Sequence, residues 1–104
     1  MILITKEIRA RLPKLYEQEN EADAMVHFKL FTPWTGWTWY ITEGEQRGDD
    51  FLMFGLVDGQ EQELGYVSLN ELLAIRGPAG LKIERDLHFA PRRLSAVRGA
   101  GAAK

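Results

Sequence analysis

The sequence predicts a single α+β domain: an N-terminal helix, a four-stranded antiparallel β-meander, one capped helix and a short C-terminal edge strand. Three observations predict it. Residues 25–68 alternate between apolar and polar in short runs broken by Pro, Gly and Asp, which is the pattern of half-buried strands joined by tight turns. Apolar stripes at helical spacing flank that block, Ile4–Leu15 before it and Leu69–Leu73 after it. No repeat and no linker divides the 104 residues, a length near the commonest for one domain. We expect residues 1–98 to form that domain and 99–104 to form a flexible tail.

The N-terminal helix begins after Thr5, a residue suited to capping, with Glu7 in the first turn where a carboxylate meets the positive end of the helix dipole. Ile4, Ile8, Leu12 and Leu15 share one face, and Pro13 ends or kinks the helix at Leu12. Residues 17–24 lack any period and read as a loop. Met25–Thr32 reads as one strand, with Val26, Phe28 and Leu30 on one face. Pro33–Gly36 is a turn. The next strand, from Trp37, carries Trp37, Trp39 and Ile41 on one face and Thr38, Tyr40 and Thr42 on the other.

GEQRGDD, 44–50, reads as a second turn. FLMFGLV, 51–57, is almost continuously apolar and reads as the central strand, covered on both faces. Gly55 inside it marks a bulge or a close backbone approach. Asp58-Gly59 opens a hairpin with a loop somewhat longer than two residues, and LGYVSL returns. Ser68 and Glu71 have capping-box spacing and open a helix over 68–76, with Gly77 placed for a left-handed cap and Pro78 blocking continuation. LKIERDLHF alternates as an edge strand that Pro91 ends, and one face of the sheet is expected to lie under the helices.

Composition excludes several classes. There is no cysteine, hence no disulfide framework, thiolate metal site or thiol nucleophile. The opening MILITKE is too short for a signal peptide, and no apolar run approaches the roughly 20 residues a membrane span needs, so we expect a cytoplasmic protein with no membrane partner. The net charge of −2 gives the whole surface no strong pull on nucleic-acid phosphates. The charge is segregated, though: Glu17–Asp23 and the turns 43–50 and 58–63 are acidic, and Arg85, Arg92, Arg93 and Arg98 make the C-terminal fifth basic.

Four segments in order, LITKEIRARLPKLYEQE, FKLFTPWTGWTWYITEGE, FGLVDGQEQELGYVSLNEL and RGPAGLKIERDLHF, resemble the DUF2958 family of small bacterial proteins of unknown function. The likeness covers residues 3–95, with WTWY, FGLVDG, ELGY and IERD its most specific parts. It implies a setting on plasmids, phages and integrated conjugative elements, beside genes for DNA processing or counter-defence. It carries over no catalytic residue.

Three constellations could carry chemistry. Glu84, Asp86 and His88 would share a strand face and suit a divalent metal, yet side chains two apart on one strand sit about 6–7 Å apart by strand rise, too far for all three to share one ion. The other reading is an exposed edge strand whose acids pair with arginine. The acids Glu43, Asp49, Asp50, Asp58, Glu61 and Glu63 could hold Mg²⁺ or act as an acid/base pair, but a meander puts the two turns at opposite ends of strand 51–57, and Asp58 also reads as a turn former. The aromatics Phe31, Trp34, Trp37, Trp39, Tyr40, Phe54 and Tyr66 serve as core, as a protein-binding face or as a base-stacking platform. Of these, Trp34 and Tyr40 are expected to stay exposed.

The reading that follows is a non-enzymatic protein-binding module of a mobile genetic element, a counter-defence inhibitor of the anti-restriction or anti-CRISPR type. It would dock on a host or element-encoded protein through Trp34, Tyr40, Asp49, Asp50, Asp58, Glu61 and Glu63. No catalytic residue, metal or cofactor is assigned. The alternatives are a single-stranded nucleic-acid binder using Trp34 and Tyr40 with Arg92, Arg93 and Arg98, and a metal-dependent enzyme at Glu84, Asp86 and His88.

Overall fold

A computed structural model describes residues 2–18 and 21–102, with 99–102 described by backbone alone. Among the described residues seven strands and three α-helices follow in order: α1 (Lys6–Arg11), β1 (Met25–Val26), β2 (Phe28–Phe31), β3 (Thr38–Arg47), β4 (Asp50–Asp58), β5 (Gln62–Ser68), α2 (Leu69–Ala74), β6 (Glu84–Arg85), β7 (Arg92–Arg93) and α3 (Leu94–Ala102), with a 3-10 turn at Pro78–Gly80. The main sheet has five strands in the order β5-β4-β3-β2-β6, and β1 pairs with β7 in a separate two-stranded ribbon. Each neighbouring pair is antiparallel. The α+β class and the meander of β2 to β5 are as the sequence predicts, with β6 added on β2 as the edge strand.

One face of the sheet carries the larger core. Phe28, Leu30, Trp39, Ile41, Phe51, Met53 and Val67 project from it and meet Leu3, Ile4, Leu12, Leu69, Leu72 and Ile83. The Thr5 side chain accepts the Ile8 N–H at 3.2 Å as the N-cap of α1, and Leu12, in extended conformation before Pro13, ends the helix. The Arg85 guanidinium donates to the carbonyls of Ile2 (3.1 Å) and Leu3 and so ties the N-terminus to β6. The second helix is shorter than expected, 69–74 rather than 68–76, and ends on extended Ile75. Gly77 is not its left-handed cap, since its φ is −99°. Its glycine is needed for space: a Cβ there would sit 2.3 Å from the Trp34 indole.

The Met25–Thr32 segment is not one strand. It breaks at His27, whose N–H turns to the Ile41 carbonyl at 2.9 Å, and the break moves Val26 to the opposite side from Phe28 and Leu30. Val26 joins Leu56, Leu94 and Val97 in a second core, with Tyr40 and Phe89 packed against it. The helices therefore do not all cover one face, because α3 lies on the other. That helix continues to Ala102, four residues past the expected domain boundary at 98; residues 103 and 104 lie outside the described residues.

The expected 44–50 turn is mostly strand. β3 runs on through Gly44–Arg47, and Arg47 pairs with Asp50 across a two-residue loop with Gly48 at φ +61°, as a tight hairpin requires at its first loop position. The central strand is accordingly β3, with β4 second from the edge. Its register against β4 shifts between Ile41 and Glu43, leaving Thr42 as the extra residue of a bulge. Facing the shift is Gly55, where a Cβ would lie 2.0 Å from the Tyr40 carbonyl oxygen. That is the close approach its position in the sequence suggests. Gly65, paired with Gly55 on β5, has open space beside it. Gly55→Ala should therefore cost about 3 kcal/mol or more, because backbone must move, while Gly65→Ala stays within about 0.5 kcal/mol; urea unfolding of the two variants measures the contrast.

Candidate functional site

On the second face, the part of the sheet beside α3, over β4 and β5, is open. Phe54 of β4 and Tyr66 of β5 meet edge to face at 5.0 Å between ring centroids, and Tyr16 from the loop after α1 stands 6.5 Å from Tyr66. Leu64 continues the row. Together with Thr42, Glu43, Leu94, Glu21 and Arg98 they line a concavity of about 340 Å³. Leu64 is 44% exposed, and Tyr16 and Tyr66 are each 53% exposed.

The bulge in β3 builds the floor. Glu43 is only 5% exposed, and its carboxylate accepts two backbone N–H groups, from Tyr16 at 3.2 Å and from Gln18 at 2.6 Å. The Gln18 side-chain amide donates to the Thr42 carbonyl at 2.9 Å and accepts the Met25 N–H at 3.0 Å. The Thr42 hydroxyl donates to the Phe54 carbonyl at 3.1 Å. This network lashes the 14–18 loop to the sheet and holds Tyr16 at φ +73°, a backbone state that a bulky side chain adopts only when its surroundings impose it. Arg47, bonded to Glu45 at 2.8 Å, also reaches the Tyr16 hydroxyl. Glu43 is thus a structural anchor, because burying an ionised carboxylate is tolerable only when hydrogen bonds replace its water.

The residues read from sequence as contacts fall in separate places. Trp34 is half-buried against the first core and Tyr40 half-buried in the second, so neither stays fully exposed as expected. The Tyr40 ring lies 6.2 Å from that of Phe89, and burial, then the charges of Asp58 and Asp86, raise its hydroxyl pKa against the opposing pull of Arg92. Tyr40, Asp58 and Arg92 therefore lie near one another. Asp58 accepts from the Gln62 amide at 3.3 Å, and Glu61 and Glu63 are exposed beyond it. Asp49 and Asp50 sit at the other end of β4, about 27 Å away by strand rise, as the meander requires.

Asp50 is occupied in joining two elements. It accepts the Ser68 hydroxyl at 2.5 Å and the N–H groups of Asn70 (3.0 Å) and Phe51 (2.8 Å), while the Ser68 hydroxyl oxygen in turn accepts the Glu71 N–H at 3.2 Å. Those bonds fasten the β3–β4 hairpin to the start of α2. Among the basic residues, Arg93 donates to the Asp23 carbonyl at 3.2 Å and Arg92 stacks over Phe89 at 4.6 Å; Arg98 lines the concavity. Asp23 accepts both the Ser95 hydroxyl (2.6 Å) and the Ser95 N–H (2.7 Å). Part of the acidic 17–23 segment is thereby folded onto the basic C-terminal segment.

The trio Glu84, Asp86 and His88 does not lie on one strand, because β6 ends at Arg85. Asp86 makes a turn instead, accepting the His88 N–H at 2.9 Å and pairing with Lys29 at 3.8 Å. Among the described residues no three of His, Asp and Glu converge as a metal-binding group. Sequence reasoning placed Phe54 and Tyr66 among the aromatics but missed Tyr16 and Leu64 as their neighbours. The signal for Leu64 was its two-residue spacing from Tyr66 on a strand that ends a sheet; nothing local marked Tyr16.

The class these features define is a small α+β domain with one closed and one half-open sheet face. The model of a family described as "Protein of unknown function (DUF2958)" matches residues 3–102, and the chain belongs to that family. No curated protein and no solved structure matches it. No helix among the described residues is long and apolar enough to cross a membrane.

Two outcomes follow from the anchoring carboxylates. Glu43→Ala should lower the unfolding free energy by about 1–3 kcal/mol, from the two part-buried N–H groups left unpaired, and limited proteolysis should find new cleavage near residues 14–24. Asp50 is held below the ordinary carboxylate pKa by the Ser68 hydroxyl and the Asn70 N–H, and Asp23 by the Ser95 hydroxyl and N–H and by Arg93. A depressed folded-state pKa stabilises the fold above the unfolded value, about 4, and that stabilisation is lost as pH falls through the folded value. Unfolding measured between neutral and acid pH should show that loss, and Asp50→Asn should flatten it.

Proposed function

We propose that the chain is a non-enzymatic protein-binding module that docks its partner on the open half of the second sheet face. The observation that carries this reading is the row Tyr16, Tyr66 and Leu64, large side chains that remain largely exposed around a rigidly floored concavity. Exposed tyrosines over a preorganised backbone are what interface hot spots are made of, since they offer apolar area at small entropic cost. The acids offered by the sequence supply less of this surface. Asp50 and Glu43 are spent on backbone N–H groups, Glu63 shares the opposite face of β5 with Val67, and Glu61 stands in the β4–β5 loop.

The setting we attach to this reading is the cytoplasm of a bacterium carrying a mobile genetic element, with a component of a DNA-targeting defence system as the partner. The family resemblance is its support. A bound partner would cover the concavity by laying apolar side chains against Tyr16, Tyr66 and Leu64.

The test is affinity capture from host lysate with tagged protein, with and without nuclease. A partner recovered in both samples by the parent chain, and lost with Tyr66→Ala while the thermal midpoint is kept, supports the proposal. Tyr40→Ala and Asp58→Asn, at the other end of the face, should weaken recovery less. Proteins that vanish on nuclease treatment would make the arginine-bearing side a nucleic-acid surface and overturn the proposal.

A further inference from the structure

We infer that β5 is a self-pairing edge, on which a second copy of this chain adds antiparallel about a two-fold axis at Gly65. The main sheet ends on two very different strands. β6 is two residues long, too short to template another chain, whereas β5 runs seven residues, Gln62–Ser68. No described residue pairs with the outer side of β5. Soluble proteins guard such an edge with charge, proline or a bulge. Here there is no proline, the register against β4 is unbroken from Leu52↔Ser68 to Asp58↔Gln62, and Glu63 is the one charged residue in the strand.

The strand is complementary to itself. With the axis at Gly65 all seven residues pair: Leu64 lies opposite Tyr66 of the second copy, Glu63 opposite its Val67, and Gln62 opposite its Ser68. On the open face the exposed Leu64 and Tyr66 then form two apolar cross-strand contacts, the pairing that stabilises antiparallel ladders. The two Glu63 carboxylates do not face each other. They stand four residues apart along the ladder, about 13 Å by strand rise, beyond the Debye length of about 8 Å at physiological salt. Moving the axis to Leu64 sets Tyr66 opposite Gln62, and moving it to Tyr66 leaves Gln62 and Glu63 without partners. Gly65 at the axis has open space beside it, with no described atom within 4 Å of a Cβ placed there.

Self-pairing shares Leu64 and Tyr66 with the proposed docking face, but it is read from the mass of the chain alone, so its failure and the failure of partner capture are told apart. In the dimer the two aromatic rows become neighbours on one continuous sheet face.

The chain has no cysteine, which makes Gly65→Cys a clean reporter. Residues opposite each other across a ladder have Cβ atoms about 4.5–5.5 Å apart, within reach of a disulfide after small adjustment. With oxidised glutathione, Gly65→Cys should give a covalent dimer of twice the 11.9 kDa chain mass, while Glu61→Cys, in the exposed loop, stays largely single. Sedimentation of the parent chain across the micromolar range should show the doubled mass. Gly65→Lys, which sets two like charges face to face, should return it to that of one chain with an unchanged circular dichroism spectrum. Leu64→Lys serves as the second variant should Gly65→Lys unfold. A parent chain that sediments as a monomer throughout, a dimer that survives both lysine variants, or cross-linking no faster at residue 65 than at residue 61 would each overturn the inference.

Discussion

The bulge at Thr42 is the constraint on which the other features of this fold depend. Before it, the odd residues Trp39 and Ile41 face the larger core. Strict alternation would put Glu43 and Glu45 on that face as well. The extra residue changes the parity, so that Gly44 pairs with the buried Met53 while Glu43 and Glu45 pair with Phe54 and Leu52 on the opposite face. A one-residue offset in a strand exchanges its two faces, and here the exchange keeps two carboxylates out of an apolar core. It also frees the Thr42 carbonyl and brings Glu43 under the loop after α1, where both are satisfied by Gln18 and by backbone N–H groups. Gly55 completes the arrangement, since a side chain there could not coexist with the Tyr40 carbonyl.

The same economy governs the other acids. Glu43, Asp50 and Asp23 each accept backbone N–H groups, and each joins two segments distant in sequence: the α1 loop to β3, the β3–β4 hairpin to α2, and the 21–24 segment to α3. A carboxylate suits this work because charge-assisted bonds to N–H groups are roughly twice as strong as neutral ones. The charge that looks, in sequence, like a display to a partner is thus partly internal. What the surface shows in its place is aromatic.

Much of the fold was legible because its signals are local. The Thr5 and Ser68 caps, the stop at Pro13, the strand character of the four apolar segments and the loop of more than two residues after Asp58 all rest on neighbours within a few positions. The failures were of another kind. The break at His27 depends on a hydrogen bond to Ile41, and the extension of β3 through GEQR depends on a bulge that only the partner strand β4 defines. Gly77 looked like a helix cap because glycine so often is one, yet it is glycine because Trp34 lies on it. For the site, Phe54 and Tyr66 stood among the flagged aromatics, whereas Tyr16 reaches them only through the Glu43 tether, and no spacing in the sequence records that.

The open corner of the sheet follows from the small amount of helix available to cover it. Five strands spaced about 4.8 Å apart make a sheet some 20 Å across, while a helix with its side chains covers about 10 Å. On the first face α1, α2 and the Leu3–Ile4 segment together span that width. The second face has α3 alone, and Leu94 and Val97 seat it over Val26 and Leu56. Phe54, Leu64 and Tyr66 lie beside it rather than beneath it, with Leu94 and Arg98 lining the same concavity. An exposed apolar row at the end of a sheet is a liability unless something covers it, and this row lies on β5, the strand whose outer side pairs with no described residue.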